Sequence, residues 1–334
     1  MTESPIVYSV VIPFLDEELA LPILMRRLDA VLDRLDAPAE VIFVDDGSRD
    51  RSPSIVADKA RHDPRYRLIS LSRNFGHQVA ITAGMDAACG QAVIVMDADL
   101  QDPPELLLEM IAKWKDGHEV VFAERLSRAG ESLLKRTTAD MFYRTLRRLA
   151  SVDIPRNVGD FRLVDRRALE VFRRMRERDR FVRGMFSWMG FRQTSVAFHR
   201  PERASGDTKY SLRKMIALSL NGVIGFSDTP LRLALWLGFL ISGVAGAMCL
   251  YVVALVLYDY TLVPGWASTM VLVSFLSGIN LLMTGVVGLY VGRVHTEVKN
   301  RPLYVVADAV GFEPARQPAR IAEPAPSMLP ATGV

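Results

Sequence analysis

The chain has 334 residues, half of them hydrophobic, and a formal net charge of +3. That length accommodates one large domain or two modest ones, and so small a net charge gives no global case for nucleic acid binding. Only two cysteines occur, Cys89 in a predicted helix and Cys249 in an apolar run, which excludes a disulfide framework or a zinc cluster.

The N-terminal MTESPIVYSVVIPF has no basic segment before its short apolar run, so it reads as a cytosolic first strand rather than a signal peptide. LALPILMRRLDAVLDRL follows with helical periodicity, and VIFV then leads into the turn DDGS. A helix is predicted from about Pro53 to Arg61, a strand over RLISLS, and an alanine-rich helix from Gln78 to Cys89. AVIVM is again a strand, Pro104 to Lys115 a helix, and EVVFAE a strand. Continuous apolar runs alternating with amphipathic helices predict a Rossmann-like, mostly parallel α/β sheet covered on both faces, spanning residues 1–210. Ligands on such sheets bind beyond the carboxyl ends of the strands. Asp45 and Asp46 end one strand and Asp97 and Asp99 another, so both pairs should open on one crevice. Neither GxGxxG nor a Walker lysine motif is present, which weakens dinucleotide and NTPase readings.

VIVMDADLQDPPE carries the most chemistry. An extended Asp97–Asp99 would put both carboxylates on one face, an oxygen-rich site for Mg²⁺ or Mn²⁺, with Gln101 as a neutral oxygen donor. Mg²⁺ needs only one or two protein carboxylates when substrate phosphates complete its shell. Asp102 and Glu105 read as the cap and first turn of the following helix. Glu17 also reads as a helix first-turn acid, and Asp45 and Asp46 as turn formers before Gly47.

Two stretches of 26 residues without charge follow, Leu233–Tyr258 and Ala267–Gly292. As helices each would be roughly 39 Å long, beyond the ~30 Å hydrocarbon core, so two transmembrane spans are predicted within residues 231–293. The loop between them lacks Lys and Arg, while Arg232, Arg293, Lys299 and Arg301 flank the pair. The positive-inside rule places both long ends in the cytoplasm of an inner-membrane, multi-pass protein. Tyr210–Phe226 reads either as an interfacial amphipathic helix, the leading part of a juxtamembrane segment 211–230, or as a core helix. Residues 294–334 read as a cytosolic C-terminal segment, disordered after about residue 313.

VVIPFLDEE, VIFVDDGSRD, SRNFG, DADLQDPPE, GDFRLVDRRALE and GDTKYSLRKM occur in that order over residues 6 to about 300. The set resembles glycosyltransferase family 2 with its GT-A fold, and within it the polyprenyl-phosphate glycosyltransferases of the bactoprenol glucosyltransferase (GtrB-like) type, related to dolichol-phosphate mannose synthase. FLDEE departs from the family pattern in carrying Leu15 where an aromatic is usual. The resemblance implies a nucleotide-sugar donor, with Pro13, Leu15 and Glu17 lining the nucleoside pocket and Asp46 reaching base or ribose. Asp97 would lie near ribose and metal, with Asp99 and Gln101 ligating the ion. Asp160 would sit beside the sugar or acceptor phosphate, either as general base or as an orienting group. Arg125 and Arg136, then Arg183, Arg203 and Lys209, would hold the acceptor phosphate. The arginine run from Arg173 to Arg183 otherwise reads as a helix face near anionic lipid.

The implied activity is inverting transfer of a sugar, glucose foremost, from a UDP-sugar to polyprenyl phosphate, with homo-oligomers possible. A GDP-mannose donor is the alternative. A processive polysaccharide synthase is disfavoured by the missing QxxRW motif. A membrane scaffold that senses nucleotide sugars is the non-enzymatic alternative.

Overall fold

A computed structural model describes residues 6–126, 158–199, 229–257 and 265–312. Residues 6–126, 158–199 and 302–312 belong to one compact unit, and 229–257 with 265–301 to a second.

The first unit is built on an eight-stranded sheet in the order β7-β5-β6-β4-β1-β2-β3-β8. Its strands are β1 (Tyr8–Phe14), β2 (Ala39–Asp45), β3 (Tyr66–Leu71), β4 (Ala92–Val95), β5 (Val120–Arg125), β6 (Val158–Asp165), β7 (Gln193–Phe198) and β8 (Val306–Val310). The centre, β4-β1-β2-β3, is parallel. All seven residues of β1 are buried, as expected of a strand covered on both faces. Four helices connect the first five strands: α1 (Leu21–Leu32), α2 (Ser52–His62), α3 (His77–Ala87) and α4 (Leu106–Lys115). In α1 the buried positions Leu21, Leu24, Leu28 and Val31 recur at helical spacing, and Pro22 opens the helix where its missing N–H costs nothing. The alanine-rich α3 is buried along most of its length because it lies directly on β1. A Cβ on Gly84 would come within 2.2 Å of Val11 Cγ1, so only glycine permits that approach.

The flanks depart from the expected pattern. β6 runs antiparallel to both β4 and β5, while β5 pairs with β7 in parallel. The helices α5 (Arg166–Arg174) and α6 (Val182–Trp188) lie between β6 and β7. At the far edge β8 pairs antiparallel with β3, so residues expected only as a C-terminal segment complete the catalytic sheet. Tyr304 ties that return in place by donating its hydroxyl to Asp86 Oδ2 at 2.9 Å. Arg67 on β3 and Glu40 on β2 form a buried ion pair, and the Arg67 guanidinium lies 5.3 Å from the centre of the Phe312 ring.

The second unit holds α7 (Thr229–Leu257) and α8 (Trp266–Val298), of 29 and 33 residues. Among the described residues one stretch, Phe275–Val298, is long and apolar enough to cross a membrane, and a shorter apolar stretch covers Ala234–Ala247. α8 therefore runs past the expected end of the second span at Gly292. Most of the juxtamembrane segment 211–230, and the tail beyond residue 312, lie outside the described residues.

Candidate active site

Antiparallel pairing brings the site together. Val95 of β4 stands opposite Arg162 of β6, so Asp97 and Asp160, each two residues further toward the same end, flank one point. β5 ends beside them with Arg125. The carboxyl ends of β1 and β2 contribute the loops starting at Leu15 and Asp46.

Asp160, 5% exposed, is clamped from three elements. From α6, Arg183 donates Nε to Oδ1 at 3.0 Å and Nη2 to Oδ2 at 3.2 Å. From the first turn of α3, Gln78 donates Nε2 to Oδ2 at 3.0 Å, and His77 Nε2 lies 3.5 Å from the same oxygen. From β6 itself, Arg162 Nη2 is 3.8 Å from Oδ1. Burial would raise this carboxyl, but the His77 hydrogen bond and the charges of Arg183 and Arg162 outweigh it and hold Asp160 well below the usual carboxylate range.

Asp97 is the counterpart with too little compensation. Its Oδ1 is buried without a hydrogen-bond donor, although His77 Nε2 stands 3.3 Å away. Burial raises its pKa, with the charges of Asp160 and Asp99 acting in the same direction against His77 and Arg125. His77 is thus placed between two carboxylates; burial lowers its pKa, but Asp160 and Asp97 outweigh that and raise it.

The expected extended Asp97–Asp99 is not what the chain adopts. β4 ends at Val95, and residues 98–100 form a bend with Leu100 at φ 63°. Two carboxylates brace that bend: Asp102 Oδ2 accepts the Asp97 N–H at 3.0 Å, and Asp99 Oδ1 accepts the Gln101 N–H at 3.1 Å. Asp102 is therefore no helix cap; α4 begins only after Glu105, and that residue pairs with Arg27 at 2.6 Å. Asp102 is buried with Oδ1 unpartnered, and burial beside Asp97 pushes its carboxyl up to about 7.

An acid cluster short of positive charge is the donor chemistry a hard divalent cation requires. Among the described residues no three His, Cys, Asp or Glu side chains are gathered to hold an ion by themselves. The residues fit an ion held by one or two carboxylates and completed by substrate oxygens, not an all-protein cage.

Arg125 lies on the acid cluster, lowering the pKa of both Asp97 and Asp102. Its Nε is buried without a partner, and its guanidinium packs on Gly159, where a Cβ would come within 2.6 Å of Nη2.

Of the residues expected around the nucleoside, Pro13 is buried in β1, opposite Val44, while Leu15 is exposed just beyond the strand. The β1 and β2 loops are laced together: Glu17 donates its N–H to Ser52 Oγ at 2.9 Å, and Asp16 Oδ1 accepts the Arg49 N–H at 2.8 Å. Asp45 closes its own turn by accepting the Ser48 N–H at 2.8 Å. Asp46 accepts the Phe75 N–H at 2.7 Å and the Gly76 N–H at 3.0 Å, so it anchors the SRNFG loop. Burial raises its carboxyl against those two bonds.

Arg183, expected on an acceptor phosphate, is bonded to Asp160, and its side chain is 34% exposed. The arginine run is not a lipid-facing helix surface as a whole. Arg173 donates to the carbonyls of Met85, Asp86 and Ala88, Arg176 pairs with Asp86 at 2.8 Å, and Arg180 is buried. Arg136, Arg203 and Lys209 lie outside the described residues. Sequence reading passed over His77, Gln78 and Arg162; the available signal was a His-Gln pair opening a helix directly after SRNFG.

Residues 9–172 match the family described as glycosyl transferase family 2. The chain is 49% identical to the uncharacterized glycosyltransferase YkcC of Bacillus subtilis (strain 168), over 92% of this chain and 96% of the relative. It is 45% identical to the uncharacterized glycosyltransferase sll0501 of Synechocystis sp. (strain ATCC 27184 / PCC 6803 / Kazusa), over 91% and 96%. It is 37% identical to the prophage bactoprenol glucosyl transferase homolog of Escherichia coli (strain K12), over 89% and 97%. With its GT-A sheet and near-full-length similarity to these relatives, the chain belongs to glycosyl transferase family 2.

Proposed function

We propose that the chain is a membrane-anchored, inverting glycosyltransferase that moves a sugar, glucose foremost, from a UDP-sugar to polyprenyl phosphate. The observation that carries this reading is the acid cluster at the strand ends, with Asp97 Oδ1 buried and lacking a donor. Asp97, Asp99 and Gln101 would hold Mg²⁺ or Mn²⁺ there. What the ion supplies when bound is positive charge against the diphosphate of the donor. The lipid acceptor is supported by the bactoprenol glucosyl transferases among the relatives. It is supported too by α7 and α8, which we read as two spans with the catalytic unit and C-terminus on the cytoplasmic side.

The protein's own residues divide the work. Pro13, Leu15 and Glu17 border the nucleoside, and Asp46 fixes the loop that closes beside it. Asp160 orients rather than takes a proton, since a carboxylate stabilised by three cationic groups is a poor base. The acceptor needs none: a phosphate monoester with a second pKa near ~6 is already largely dianionic at neutral pH. Arg125 on Gly159 presents a guanidinium to the incoming phosphate, a geometry suited to forked hydrogen bonding. Arg136, Arg183, Arg203 and Lys209 would complete that basic side.

Incubating the full chain with radiolabelled UDP-glucose, Mn²⁺ and a short polyprenyl phosphate should put label into chloroform-soluble lipid. Asp99→Ala should abolish it. Label in polymer, or nucleotide-sugar binding without transfer, would overturn the reading, and a parallel GDP-mannose arm decides the donor.

A further inference from the structure

Behind Asp160 stands a column of four buried side chains. Arg162, 3% exposed, donates Nη2 to the Gly159 carbonyl at 2.9 Å and Nε to the Asp160 carbonyl at 3.3 Å. Its guanidinium lies 5.0 Å from the centre of the Phe186 ring. Phe186 in turn stacks on Phe172, with centroids 5.1 Å apart and planes within 4°. Arg180 covers the other end, 4.7 Å from the centre of the Phe172 ring. Its Nη1 donates to the Met175 carbonyl at 2.7 Å, while Nε and Nη2 are buried with no hydrogen-bond partner. The Phe172 face adds to the charges of Glu177 and Asp86 in compensating that guanidinium, since a ring's negative quadrupole attracts a desolvated cation. Burial pushes both Arg162 and Arg180 down to about 10, which leaves both cationic at neutral pH.

The column reaches Asp160 by two routes. Through Arg162 it fixes the backbone of Gly159 and Asp160. Through Phe186, one turn along α6 from Arg183, it sets the rotation of the helix whose arginine grips the Asp160 carboxylate. We propose that Arg162, Phe186, Phe172 and Arg180 form a cation–aromatic pillar that positions Asp160, so that Phe186 and Arg180 are positioning residues of the transfer reaction. The inference rests on Asp160 facing the reacting groups, as read above.

The test uses the full chain in detergent. Phe186→Met keeps the volume and removes the ring face; Arg180→Met removes the outer cation, and Arg180→Lys restores one. Three quantities are read: kcat and donor KM for transfer to polyprenyl phosphate, the melting temperature, and amide hydrogen exchange in residues 158–164. Phe186→Met and Arg180→Met should lower kcat about tenfold with donor KM unchanged. They should speed exchange about tenfold in 158–164 while β1–β3 stay protected, and Arg180→Lys should recover most of both. Unchanged exchange in 158–164 would overturn the pillar. So would a loss that follows a general fall in melting temperature and is not recovered by Arg180→Lys. If the wild type itself transfers no sugar, the functional reading fails, and the exchange data still decide whether the pillar holds Asp160.

Discussion

The guanidinium of Arg125 rests on Gly159, so closely that a single added carbon would stand 2.6 Å from Nη2. The neighbour is the far end of a flexible side chain, not backbone, so Gly159→Ala is expected to fold. Its cost falls on the placement of Arg125. We expect the variant to melt within a few degrees of wild type while kcat/KM for the proposed acceptor, polyprenyl phosphate, drops about tenfold, and steady-state kinetics beside thermal melts check both. An unchanged acceptor KM and kcat would separate Arg125 from the phosphate.

Asp160→Asn distinguishes an orienting carboxylate from a base. Because its neighbours hold Asp160 well below the ordinary range, it stays ionised through neutral and mildly acid pH. An acid limb in the pH–rate profile above about pH 4 is therefore expected to belong to another group. The asparagine variant should lose activity by about a hundredfold while the limb keeps its position, a loss of transition-state stabilisation of about 2.7 kcal/mol. A limb that vanishes in the variant would assign the proton transfer to Asp160.

Asp63 and Arg65 make a pair with a defined pH signature. Arg65 donates Nη2 to Asp63 Oδ2 at 2.8 Å and holds that carboxyl at about 2, below its unfolded value. A depressed folded pKa adds stability that is fully present above the unfolded value near ~3.8 and is lost as pH falls toward about 2. Arg65 is partly exposed, so the contribution is about 1 kcal/mol after solvent screening. Asp63→Asn should therefore melt lower than wild type at pH 6, and the gap should close between pH 4 and pH 2.

Ending the chain at Arg301 removes β8 and bares the edge of β3. Unpaired strand edges recruit other chains. The loss also uncovers Arg67, over which Phe312 now lies, and takes Tyr304 from Asp86. The truncated protein should aggregate in detergent on size-exclusion chromatography, whereas ending it after Phe312 should leave the elution volume unchanged.

How far the sequence reached can be read from single strands. β1, β2, β3 and β4 were legible because strands buried on both faces are dominated by apolar runs, as Val10–Ile12 and Val41–Val44 are. β8 was not, because an edge strand needs to bury only part of its surface, and VADAV carries no pattern that separates it from a loop. Asp97 and Asp99 stood out because acids at the end of an apolar run are anomalous. Asp102 was misread because a carboxylate just before a helix looks the same whether it caps that helix or folds back onto Asp97.

From the sequence alone came the α/β class, the acids at the strand ends and the two long apolar helices, since each is a property of neighbouring residues and their periodicity. Tertiary structure alone decided that Asp160 meets Asp97, that Arg183 serves Asp160, and that His77 stands between two carboxylates. Those partners lie between 20 and 83 residues apart in the chain and meet only in the fold, where the antiparallel pairing of β6 with β4 brings Asp160 to Asp97. No tight turn joins β4 to β6, so their register follows from which faces the whole sheet buries rather than from one local stretch.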